Sequence, residues 1–114
     1  MRTSPDVYFI DDEIDLRLAN EQTLELAGFQ VQVFEKAEEA LQLIDEQTSG
    51  IVISDIRLPG IDGLTLLQRL QRMDATLPII LITGHGDISM AVDAMHKGAY
   101  DFIEKPFSTE RLVD

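Results

Sequence analysis

No cysteine occurs in this chain, which excludes a disulfide framework, a thiolate nucleophile and a cysteine-based zinc site, and agrees with a reducing compartment. Histidine is nearly as scarce, and His85 and His96 lie too far apart to form a local ligand pair. Basic residues are few as well. Against 21 acids stand 9 lysines and arginines, and the net charge of −12 opposes direct binding to nucleic acid through counterion release. If the protein controls DNA, another domain must touch it. No apolar run approaches the roughly 20 residues needed to cross a bilayer, and the leading MRTSPD lacks the basic-then-apolar plan of a signal peptide. The expectation is a soluble, cytoplasmic protein with no membrane contact. What remains suits one compact domain, since 114 residues at 45% hydrophobic and 26% charged leave room for one core.

Along the chain, short apolar runs alternate with helical periodicity. Val7-Tyr8-Phe9-Ile10 is a fully apolar, β-rich run that ends abruptly in acid, as a buried parallel strand does. From Leu16 the period changes: Leu16, Ala19, Thr23, Leu24 and Ala27 fall on one helical face before Gly28 supplies a stop. Val31, Val33 and Phe34 form a second strand, and Ala37, Ala40, Leu41 and Ile44 mark a second helix. Ile51-Val52-Ile53-Ser54 is a third strand ending on Asp55. The loop from Ile56 to Gly63 holds Pro59 and Gly60, and a third helix follows with Leu64, Leu67, Leu70 and Met73. Pro78 to Thr83 reads as strand four, Ile88, Ala91, Val92 and Met95 as helix four closed by Gly98, and Tyr100 to Ile103 as strand five. A last helix begins near Ser108 or Thr109. Strand and helix alternate five times, which requires crossover connections and a parallel sheet covered on both faces. The predicted fold is therefore α/β, a flavodoxin-like doubly wound (βα)5 domain with strand order 2-1-3-4-5.

In such a sheet ligands sit beyond the carboxyl ends of the strands, at the switch point between strands one and three. Strand one delivers Asp11 and Asp12, strand three Asp55, strand four Thr83, and strand five leads into Lys105. Crowding carboxylates within about 5 Å costs on the order of 3 kcal/mol per pair at an effective dielectric near 20. A hard divalent cation offsets that repulsion. Mg²⁺ fits best, with Mn²⁺ as the alternative, because it accepts one or two carboxylates and keeps waters for incoming phosphate oxygens. Asp55 can then act as nucleophile toward a phosphoryl group, with the metal and Lys105 neutralising its oxygens and Thr83 donating a hydrogen bond.

Taken singly, each residue has a plainer role. Asp11, Asp12 and Asp15 could merely begin a helix, Thr83 end a strand, Lys105 be a solvated lysine and Phe102 be core. Their coincidence at four strand ends argues otherwise. Gly63 and Gly98 are explained by backbone needs at helix ends. Gly84 leaves the acceptor open to a bulky phosphodonor, and His85 and Arg57, each two residues past a site residue, border the phosphoryl group.

The segments FIDDE, SDIRLPGIDG, ITG and IEKPF, in that order and spacing, resemble the receiver domains of two-component response regulators, from about Val7 to Arg111. The resemblance implies that Asp55 is the phosphorylation site and that Asp11 and Asp12 are the acidic pair for Mg²⁺, with Asp12 the direct ligand. The backbone carbonyl of Arg57 completes the metal shell, Thr83 is the switch hydroxyl, Lys105 pairs with the phosphate, and Phe102 rotates inward on activation. GHGDISMAVDAMHKGAYDFIEKPF is most similar to receivers of nitrogen-regulation and dicarboxylate-transport regulators, which drive sigma-54 transcription. The domain is then a phosphoacceptor switch with slow autodephosphorylation rather than a turnover enzyme. Its implied partners are a sensor histidine kinase, an attached output domain, and a second copy through helix four, strand five and helix five. The expected domain spans 4–114 with a truncated last helix, so the output domain lies elsewhere. Two other classes use related parts. A haloacid-dehalogenase-like phosphatase puts its aspartate nucleophile in a D-x-D arrangement after strand one, where this chain has adjacent acids. A flavodoxin-type mononucleotide carrier wants a Ser/Thr/Gly-rich loop there, and DDEID would repel phosphate.

Overall fold

A short apolar run can bury both its faces only if its backbone groups pair with strands on either side. The computed structural model describes residues 5–45, 48–73, 77–83 and 88–104. In it the runs form β1 (Val7–Ile10), β2 (Val31–Phe34), β3 (Ile51–Asp55), β4 (Ile79–Thr83) and β5 (Asp101–Glu104). Every pairing is parallel and the order is β2-β1-β3-β4-β5, as expected. The crossovers contain α1 (Ile14–Leu26), α2 (Ala37–Leu41), α3 (Gly63–Met73) and α4 (Ile88–His96). The expected fifth helix falls on residues outside those described. Among the described residues, no helix is long and apolar enough to cross a membrane.

Strand alternation splits the core between the two faces of the sheet. Tyr8, Ile10, Val52 and Leu81 join Leu66, Leu67, Leu70, Ala91 and Ala94 from α3 and α4 on one face. Val7, Phe9, Ile53, Ile82 and Ile103 meet Leu24 of α1 on the other. Full burial of Leu66, Leu67 and Leu70 contributes roughly 2 kcal/mol each relative to exposure.

Two helices present different faces from those expected. In α1 the buried residues are Asn20 and Leu24, whereas Ala19 and Ala27 are exposed. Leu16, Asn20 and Leu24 stand four apart, and Asn20 can enter the interface because its Nδ2 donates to Leu16 O at 2.9 Å. In α4 the buried pair is Ala91 and Ala94, while Val92 and Met95 are 45% and 38% exposed. Small side chains let the helix lie close to the sheet and turn its larger residues outward. Tyr100, expected to open β5, precedes it and is 70% exposed.

Register decides where the strands end. Ile10 pairs with Ser54 and Asp55 with Ile82, so the chain leaves β1 at Asp11 beside the Asp55 end of β3. Thr83 lies one step past the Asp55 row, opposite Glu104.

Candidate functional site

Asp11 leaves β1 with its N–H donating to Phe34 O of β2 at 3.1 Å. Its Oδ1 accepts from Glu13 N at 2.9 Å, which closes a turn before α1, and the side chain is buried. Glu13 occupies the N-cap of α1 without a side-chain cap hydrogen bond, so neither Asp11 nor Asp12 serves as that helix's cap. Asp12 is exposed. Arg17, one turn into α1, bends its side chain back so that Nη1 donates to the carbonyl of Asp11 at 2.9 Å.

Asp55 ends β3 and is 6% exposed; its Oδ1 accepts from Arg57 N at 3.2 Å. The next residue, Ile56, is buried completely and continues the sheet by donating its N–H to Ile82 O at 3.0 Å. Its own carbonyl accepts from Gly63 N at 2.8 Å, closing the loop that carries Arg57. Asp62 caps α3, with Oδ1 accepting from Thr65 N at 2.8 Å. On the far side of this loop the Glu38 carboxylate of α2 fills the space that a side chain at Gly60 would need, and Gly60 has a φ of 73°. Neither Glu38 nor Arg17 was flagged by spacing in the sequence, because both act on backbone brought near only by folding.

One carboxylate oxygen from each of Asp11, Asp12 and Asp55 lies within 4.8 Å of the others. At that separation two unit charges repel by about 3 kcal/mol at an effective dielectric of 20. Three hard oxygen donors at the mouth of a sheet, one exposed and two buried, fit a small divalent cation that keeps part of its water shell. Of the other expected site residues, Thr83 closes β4 beside this cluster in the strand order, and Phe102 of β5 is partly buried against the α3 and α4 core. Gly84, His85 and Lys105 lie outside the described residues.

Thr83 is completely buried, and among the described residues its Oγ1 has no hydrogen-bond partner. A buried hydroxyl left so costs on the order of 1 kcal/mol or more. Thr83→Val, which keeps the shape and removes that hydroxyl, is expected to raise the melting temperature in metal-free buffer by about 4 °C. A lower melting temperature in a calorimetric scan would show that the hydroxyl finds a partner in the native state.

Comparison with known proteins agrees with this geometry. Residues 7–114 match the model of the response regulator receiver domain. The chain is 58% identical over 113 residues to the C4-dicarboxylate transport transcriptional regulatory protein DctD of Rhizobium meliloti, covering 99% of this chain and 25% of that protein. It is 43% identical over 113 residues to the transcriptional regulatory protein FixJ of Bradyrhizobium diazoefficiens, covering 99% of this chain and 55% of the relative. The chain thus spans between a quarter and about half of these relatives. Among solved structures, the receiver domain of NtrX from Brucella abortus superposes with a TM-score of 0.88 at 40% identity, covering 95% of this chain and 92% of that one.

Proposed function

Because the chain belongs to the response regulator receiver domain family, we propose that it is a phosphoacceptor switch in which Asp55 takes a phosphoryl group from a sensor histidine kinase. The observation that carries this reading is the meeting of Asp11, Asp12 and Asp55 within 4.8 Å at the carboxyl ends of β1 and β3. A carboxylate oxygen of Asp55 attacks phosphorus, the new P–O bond forms as the P–N bond to the donor histidine breaks, and the histidine nitrogen departs. The hydrogen bond from Arg57 N–H orients the Asp55 carboxylate for that attack. Asp11, Asp12, Asp55 and the Arg57 carbonyl would hold Mg²⁺, or Mn²⁺ in its place. When bound, the ion supplies positive charge that draws the phosphoryl oxygens into the acidic cleft. Lys105 adds a second positive charge, while Gly84, His85 and Arg57 border the phosphoryl group and tune its lifetime. Its loss to water is slow, so the domain stores a signal rather than turning over substrate.

The signal is a population shift. The phosphoryl group brings about two negative charges, which draw the Thr83 hydroxyl toward them. Phe102, only partly buried, then moves inward. Such a displacement reshapes the surface of α4 and β5, where Val92, Met95 and Tyr100 are exposed and where a second copy would dock. The domain, taken as residues 4–114, controls an attached output domain that activates transcription; the longer relatives DctD and FixJ are named transcriptional regulatory proteins, which supports a transcriptional output. It does so in the cytoplasm, without itself touching DNA or membrane. Incubating the protein with Mg²⁺ and a small phosphodonor such as acetyl phosphate is expected to give a single labile phosphoryl adduct on Asp55 by intact-mass and peptide analysis. Sustained release of inorganic phosphate at many turnovers without an adduct would overturn the switch reading.

A further inference from the structure

The loop after β1 has to present acidic side chains toward one point although they repel one another, and its backbone must resist that repulsion. Three hydrogen bonds among the described residues help to hold Asp11: its N–H on Phe34 O, its Oδ1 under Glu13 N–H, and its carbonyl under the Arg17 guanidinium. The last differs in kind from the other two. The carbonyl belongs to the peptide that joins Asp11 to Asp12, and its orientation sets the direction in which Asp12 leaves the strand. Asp12 is exposed, and among the described residues no hydrogen bond fixes its carboxylate, so its backbone must aim it.

Arg17 is suited to this work. Its main-chain N–H donates to Glu13 O at 2.9 Å as the first turn of α1 forms, so the residue is seated on the helix while its side chain reaches back six positions. The side chain is half-buried and borders an open groove of about 520 Å³ shared with Phe34, Glu35 and Glu39. A hydrogen bond from a cationic guanidinium to a carbonyl is stronger than one between neutral groups.

We propose that Arg17 is a positioning residue for the metal site, clamping the Asp11–Asp12 peptide so that Asp12 converges on Asp11 and Asp55. The inference rests on the metal-dependent reading above. Two effects of opposite sign separate it from a purely electrostatic role. Removing a positive charge beside a cation site, with nothing else changed, tightens cation binding. Releasing the peptide that aims a ligand weakens binding, and loss of such an outer partner typically costs about tenfold or more in metal affinity.

The test measures Mg²⁺ affinity by NMR titration of the wild-type protein, Arg17→Met and Arg17→Lys, with circular dichroism to verify the fold. Arg17→Met, which keeps the stem, is expected to bind Mg²⁺ about tenfold more weakly, and Arg17→Lys to recover most of that loss. A methionine variant that binds as tightly as wild type or more tightly overturns the proposal and leaves the metal-dependent reading intact. A wild type that binds no Mg²⁺ overturns both. If Arg17→Met does not fold, the wild type itself decides: a through-hydrogen-bond coupling between Arg17 Nη and the Asp11 carbonyl carbon is expected, and its absence overturns the clamp.

Discussion

Asp55→Asn is expected to abolish phosphoryl uptake while making the metal-free protein harder to melt. The carboxamide has almost the shape of the carboxylate and can still accept the Arg57 N–H at its oxygen, so the loop is expected to keep its path. What disappears is the anionic nucleophile, and a neutral amide oxygen does not form a stable bond to phosphorus under conditions where an aspartate does. With Mg²⁺ and acetyl phosphate the variant should show no adduct at exposures that modify the wild type fully. Stability should move the other way. Asp55 is 6% exposed and Asp11 1%, with oxygens within 4.8 Å of each other, so their mutual repulsion is only partly screened by water. Of the roughly 3 kcal/mol of unrelaxed repulsion, a gain of about 1 kcal/mol is expected to survive relaxation, raising the melting temperature by about 4 °C. Peptide mapping distinguishes the failures. An adduct that persists on Asp11 or Asp12 would move the acceptor to β1, and a lower melting temperature without metal would show that the Asp55 charge is well paired in the native state.

Gly63→Ala should damage both the fold and the site. Gly63 opens α3 next to the Asp62 cap, and its φ is not left-handed, so the backbone conformation there suits alanine as well as glycine. Space is the constraint. A Cβ there would stand 2.7 Å from the Asp55 carbonyl oxygen and 2.7 Å from Ile56 Cα. Neither atom can yield cheaply, since Ile56 is fully buried, bonds through its N–H to β4 and accepts the Gly63 N–H through its carbonyl. Overpacking of this kind costs about 2 kcal/mol, which corresponds to a fall of about 8 °C in melting temperature. The displaced atoms belong to the peptide that carries Asp55, so phosphoryl uptake should slow by about tenfold or more, as expected when a reacting group moves by a fraction of an ångström. Differential scanning calorimetry and a phosphorylation time course check the two halves. An unchanged melting temperature would mean that α3 can shift away without cost.

Gly63 illustrates what sequence could not convey. Its place beside a helix end suggests a conformational role, yet no other local feature reveals that the helix starts against the backbone of the acceptor strand. Gly98 carries both kinds of constraint: its φ of 106° after α4 is the local requirement that its position implies, while the Gln71 side chain of α3 fills the space that a Cβ would need. The helix faces show the same division. Leu67 and Leu70 were legible as core because leucine at helical spacing has few alternatives, but the true orientation of α1 places Asn20 inside and Ala19 outside. No hydrophobicity pattern selects an asparagine over an alanine. The bond from Asn20 to Leu16 O decides it, and that bond gains its value only once the helix lies on the sheet.

By itself the sequence determined the parallel sheet, through apolar runs such as Val7–Ile10 and Ile51–Ser54 that end in acid, and it determined the chemistry available at the strand ends. These follow from local properties, since periodicity and side-chain type act over a few residues wherever they stand. Tertiary structure decided which oxygens meet. The pairing of Ile10 with Ser54 brings Asp11 level with Asp55, and a slip of one residue would part them and turn each strand's side chains to the opposite face. It also brought the Arg17 guanidinium back to the Asp11 carbonyl and Glu38 against Gly60. Such contacts join a side chain to backbone from another turn or element, and they exist only after the sheet has set the spacing between them.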